Sequence, residues 1–122
     1  TARAVMSAGV STVGLLGTRF TMQERFYHDM LAKYGIDTLI PEAADREYIH
    51  ETILTDFARN HFTPEHKARY LRIIGDLENA GAQAVILGCT EIPVLIKPHD
   101  CRIPLFDTTV LHARAAVDFA LG

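Results

Sequence analysis

Residues Ala84-Val85-Ile86-Leu87 form an unbroken apolar run that stops at Gly88 and is followed by Cys89, Thr90 and Glu91. An alternating run would mark a strand with one wet face, whereas a continuous β-branched run marks a strand covered on both. Strands covered on both faces belong to parallel sheets, and parallel neighbours need a long crossover between them, usually a helix. The rest of the chain supplies those parts. Ser11 to Gly17, Ile36 to Ile40 and Ile103 to Phe106 read as three further strands, each bounded by Gly, Pro or Asp.

Between them the spacing turns helical. From about Thr21 to Tyr34, Met22, Phe26, Met30 and Leu31 share one face; from about Asp45 to Ala58, Tyr48, Ile49, Thr52, Ile53 and Phe57 do the same. Thr63 and Pro64 are a cap and first residue for a helix over Pro64 to Ala80, closed by Gly81. A short helix is expected over about Glu91 to Ile96, and Asp107 is expected to cap a last one reaching Leu121. Thr1 to Ala8 reads as the tail of a helix, ended by Gly9. The expected fold is α/β: a single domain over 1–122, with a four-stranded, mainly parallel sheet and helices on both faces.

Composition narrows the function. A formal net charge of −3 over 122 residues argues against a nucleic-acid groove or an anionic membrane surface. No apolar run approaches the ~18 residues of a membrane span, and no signal peptide is expected. Two cysteines without close spacing suit a reducing cytoplasm. The first residue is Thr1, so a processed or truncated product is expected. The last helix is apolar almost all round (Val110, Leu111, Ala113, Ala115, Ala116, Val117, Phe119, Ala120, Leu121), which implies an association surface and a homo-oligomer.

Chemistry concentrates at three strand ends: Gly17-Thr18-Arg19-Phe20-Thr21, Gly88-Cys89-Thr90-Glu91 and Asp107-Thr108-Thr109. In a parallel sheet these lie on one edge, each at a helix start, where backbone amides and the helix dipole suit a carboxylate. The same dipole is expected to lower the pKa of Cys89 and make thiolate available. The plainer alternatives stay open: hydroxyls as helix caps, and Cys89 as a small buried hydrophobe. Cys89 follows the third strand at its carboxyl end and Cys101 precedes the fourth at its amino end, so the two sulfurs belong at opposite sheet edges, too far apart for a disulfide or a shared site. Cys101 is therefore read as structural. The six histidines show no metal-ligand spacing, and Lys67, Arg69 and Arg72 read as a solvated helix face.

The blocks Gly14-Leu15-Leu16-Gly17-Thr18-Arg19-Phe20-Thr21-Met22 and Gly81 to Pro93, centred on Gly88-Cys89-Thr90-Glu91-Ile92, closely resemble the aspartate/glutamate racemase family. Leu39-Ile40-Pro41 and Phe106-Asp107-Thr108 also fit. Glu91, where glutamate racemases usually carry His, favours the aspartate and broad-specificity amino-acid racemase branch. The resemblance implies a cofactor-independent enzyme of two similar α/β lobes, each supplying one cysteine to a cleft that takes a small amino-acid substrate. It implies Cys89 as the acid/base thiol, with Thr90, Thr18 and Thr21 lining the pocket and Glu91 tuning the sulfur. Arg59 and Lys67 are weaker candidates for the substrate side chain. The family's other cysteine sits in a Cys-Asn-Thr block that this sequence lacks. The chain thus resembles the second lobe, with the first missing, and is expected to be inactive alone. Hydantoin racemases, maleate isomerases, arylmalonate decarboxylases and a non-catalytic ligand-binding module are the competing readings.

Overall fold

The computed structural model describes residues 9–23 and 25–107. The expected first helix, the last helix with its association surface, and Thr108 and Thr109 lie outside the described residues.

Four strands form one parallel sheet: β1 (Thr12–Leu16), β2 (Asp37–Leu39), β3 (Ala84–Leu87) and β4 (Leu105–Asp107), in the order β2-β1-β3-β4. All three pairings are parallel. The helices are α1 (Arg19–Gln23), α2 (Arg25–Ala32), α3 (Ala43–Leu54), α4 (Pro64–Asn79) and α5 (Ile92–Leu95), with 3-10 turns at Phe57–Arg59 and Pro98–Asp100. Every strand expected from the sequence is present: β3 keeps its full run, β1 and β2 lose one residue at each end, and β4 starts two residues late and takes in Asp107, which the sequence marks as a helix cap. The second expected helix ends at Leu54, four residues early: Thr55 leaves helical geometry at φ −113°, and Phe57 turns inward on the 3-10 turn instead.

The strand order dictates which face each helix covers. Passing from β1 to β2 moves the chain one way across the sheet, and passing from β2 to β3 moves it back over β1. Right-handed crossovers then place the connecting helices on opposite faces. The core divides accordingly. Val13, Leu15, Ala84 and Ile86 point to one side, where Leu31 and Ile36 meet them. Leu16, Val85 and Leu87 point to the other, where α3, the Phe57 turn, α4 and α5 contribute Ile49, Ile53, Phe57, Tyr70, Ile73, Leu77 and Leu95. All four β3 residues are buried, as their unbroken apolar run requires.

Helix α4 starts as the sequence indicates. Thr63 Oγ1 accepts the His66 amide at 3.1 Å, Pro64 follows, and His66 Nδ1 accepts the Thr63 amide in return. Its outward face differs from the expected solvated one. Arg69 and Arg72 both reach Asp45, at 3.1 and 2.6 Å, and Asp45 is only 3% exposed. A carboxylate that deep needs such partners, so these arginines tie α4 to α3, and Arg69 also lies 4.3 Å over the Tyr48 ring. No helix among the described residues is long and apolar enough to cross a membrane.

Candidate active site

Register decides what meets at the carboxyl edge. Leu16 pairs with Leu87, so Gly17 and Gly88 leave the sheet side by side, and the Gly88 amide donates to Leu16 O at 2.7 Å. The chain then departs toward β2 after β1 and toward β4 after β3. That divergence is the switch point at which open α/β sheets form a ligand crevice. Thr18 stands on one side of it and Cys89 on the other.

Thr21 is seated between the two glycines. A β-carbon added to Gly88 would stand 2.9 Å from both Leu16 O and Thr21 Cγ2, and one added to Gly17 would stand 2.9 Å from the same methyl. Only glycines let Thr21 sit this close to both strand ends. Its hydroxyl lies 3.3 Å from that of Thr18, so the turn into α1 presents a ledge of two half-buried hydroxyls beside β3. Thr90 is exposed and Glu91 half-buried just beyond Cys89. The structure therefore brings Thr18 and Thr21 together next to the strand end that carries Cys89, Thr90 and Glu91.

Cys89 packs on the core cluster that contains Tyr70 and Phe57. The expected dipole-lowered thiol is not what results. Burial pushes the Cys89 pKa up from 9.0 to about 11; the backbone amides of Ile92 and Glu91 pull it down, while the Glu91 carboxylate pushes it up again. Helix α5 has only four residues and contributes little dipole, so desolvation wins. Cys89 is a protonated thiol at neutral pH. Its alkylation rate should climb with pH to a midpoint near 11, well above that of an ordinary cysteine. Because the folded pKa is the raised one, the stability linked to this thiol is complete below the unfolded value and is lost as pH rises through about 11. A rate profile with its midpoint at or below 8.5 would contradict this placement.

Beneath the thiol lies a buried polar pair absent from the sequence-derived candidates. The hydroxyls of Tyr70 and Thr52 are 2.7 Å apart, and Thr52 donates within its own helix toward Tyr48 O and Ile49 O. Tyr70 is fully buried, and burial holds its phenol far above the usual range. Phe57 roofs the pair, stacked on Phe62 at 4.7 Å and tilted over Tyr70 at 5.5 Å. His50 is the other missed residue: its Nδ1 accepts the Arg19 amide at 2.8 Å. A histidine on the flank of the Ile49–Ile53 stripe was the available signal, but its partner 31 positions away was not visible.

The weaker candidates fall elsewhere. Lys67 is held by Asp100 at 3.1 Å. Arg59 is exposed at the end of the Phe57 turn. Cys101 precedes β4, at the edge opposite Cys89, and lines a separate cavity of about 170 Å³ with Leu71, Ile74 and Glu78. Both cysteines are free. No cluster of His, Cys, Asp and Glu fit for a metal ion occurs among the described residues. A more apolar cavity of about 400 Å³, lined in part by Leu87, Ile96, Leu105 and Phe106, lies alongside β3 and β4 and does not include Cys89.

The sequence pattern of the Asp/Glu/hydantoin racemases matches residues 1–116. A Yersinia pestis protein solved as a candidate Asp/Glu racemase superimposes on all of this chain with a TM-score of 0.95 and 40% identity, over 54% of its own length. An aspartate racemase homologue from Pyrococcus horikoshii covers 99% of this chain with a TM-score of 0.92 and 32% identity, over 53% of its length. A curated Pectobacterium carotovorum protein of uncharacterised function is 34% identical over 98 residues, 80% of this chain and 63% of its own. The chain thus spans about half the length of the solved relatives it matches. With the glycine-paired strand ends, the cysteine at the switch point and the pattern match over nearly its full length, the chain belongs to the Asp/Glu/hydantoin racemase family.

Proposed function

We propose that this chain is one lobe of a cofactor-independent amino-acid racemase, acting on aspartate or a broader range of amino acids, with Cys89 as one of its two acid/base thiols. The observation that carries the reading is the position of Cys89: half-buried, at the end of β3, across the switch point from the Thr18–Thr21 ledge. Inverting a stereocentre requires a proton to leave one face of Cα and another to reach the opposite face. Two groups on opposite sides are needed, one basic and one acidic, exchanging roles with the direction of reaction.

In this reading Thr18, Thr21 and Thr90 hold the substrate's α-carboxylate and ammonium, and the companion lobe's thiolate removes the Cα proton. Cys89, kept protonated by burial, donates its S–H proton to the carbanion from the other face and becomes the thiolate. In the reverse direction that thiolate is the base. Glu91 keeps the resting sulfur protonated, since its carboxylate disfavours a neighbouring negative charge. Two free thiols also suit a cytoplasmic, reducing location. The test is deuterium entry at Cα of aspartate in D2O, catalysed when this lobe and its companion are present together and absent with this chain alone.

A further inference from the structure

The Arg19 amide opens α1 and would have no partner within its own helix. It is capped from 31 residues away by His50 on α3, whose Nδ1 lies 2.8 Å from Arg19 N. His50 is 8% exposed, with Phe20 set edge-on to its ring at 6.3 Å. One turn earlier on α3, Glu47 clamps the Arg19 guanidinium at 3.0 and 2.6 Å. Thr18 Oγ1 takes the Thr21 amide more loosely, at 3.5 Å. The turn that carries both ledge hydroxyls is thus tied to α3 through Arg19, in addition to the Met22 amide that donates to Thr18 O at 3.0 Å.

We propose that His50 is a positioning residue: its neutral imidazole accepts the Arg19 amide through Nδ1 and so fixes the turn that presents Thr18 and Thr21 to a bound amino-acid carboxylate. The last clause rests on the racemase reading; the tie itself does not. The chemistry sets the tautomer. An N–H donor facing Nδ1 requires a bare nitrogen there, so the ring carries its proton on Nε2. A protonated ring would turn an N–H toward an N–H and break the tie. The charged groups around the tie are Arg19 and Glu47, with Glu51 facing Arg19 and Arg46 facing Glu47.

Two substitutions separate positioning from general packing. In His50→Asn the amide oxygen occupies the place of Nδ1, the same number of bonds from the backbone; in His50→Gln the acceptor is one bond farther out. Amide exchange and chemical shifts read by NMR on the 122-residue chain should show Arg19 protected in wild type and His50→Asn. In His50→Gln its protection should fall about fivefold to tenfold, the size of one net hydrogen bond. The wild-type Arg19 amide should shift as the ring protonates and that of His50→Asn should not, a readout that survives if His50→Gln fails to fold. Equal protection in all three proteins, or an Arg19 amide indifferent to ring protonation, would overturn the tie.

L-aspartate serves as the ligand probe. It should move the Thr18 and Thr21 amides in wild type and His50→Asn, with binding about fivefold to tenfold weaker in His50→Gln. Equal affinity in all three overturns the positioning role. No response from any of them counts against the racemase reading, while the Arg19 data still decide the tie.

Discussion

Replacing Cys89 with Ser in the two-lobe protein should reduce racemisation by about 10²–10⁴-fold or more, the range for loss of a general acid/base group. Serine keeps nearly the same shape and leaves the packing on Tyr70 and Phe57 intact, so the fold survives and the chemistry does not. A hydroxyl is far too weak an acid to alternate between proton donor and base at Cα. The loss should fall on kcat, with KM changing little, because in the proposed reading it is Thr18, Thr21 and Thr90 that hold the substrate. A Cys89→Ser protein retaining more than about a tenth of wild-type kcat would remove Cys89 from the proton-transfer role.

The second large effect is on stability. Phe57→Ala should cost about 3–5 kcal/mol, the range for truncating a buried aromatic ring. Phe57 is 3% exposed and touches three rings: Phe62 at 4.7 Å, His66 at 5.3 Å and Tyr70 at 5.5 Å. It sits on a 3-10 turn pinned by the Asn60 amide to Phe57 O at 3.0 Å, so the backbone cannot easily follow the missing ring inward. Urea unfolding should show a lower midpoint with an unchanged slope. A cost below about 1 kcal/mol would mean that the cavity collapses and that Phe57 is not a fixed roof over Tyr70.

Local features of the sequence carried over well. Ala84 to Leu87 is the strand its composition demands, Thr63-Pro64 starts α4, and Gly35 and Gly81 stop helices with φ of 73° and 118°. Each of these signals lies within a few residues of its effect. The residue pattern put these strand ends on one edge of the sheet and the resemblance put them in one pocket, but which ends are immediate neighbours is set by strand order. The neighbouring positions of Gly17 and Gly88, and hence of the Thr18–Thr21 ledge and Cys89, follow from β1 lying beside β3, a pairing across some seventy residues. Asp45 with Arg69 and Arg72, and His50 with Arg19, were unreadable for the same reason. The expected thiolate failed differently. Position at a strand end was legible, but the pKa of Cys89 is decided by desolvation, which depends on Tyr70 and its neighbours closing over the sulfur.

The central claim is that Cys89 is one of two thiols exchanging protons at a substrate Cα, and solvent deuterium reports that exchange directly. L-aspartate in D2O with the two-lobe protein should yield D-aspartate carrying one deuterium at Cα, and the Cys89→Ser protein should yield almost none. This chain alone, with only one of the two proposed acid/base thiols, should leave Cα protonated. Absence of deuterium with the two-lobe protein, or equal exchange by this chain alone, would contradict the account.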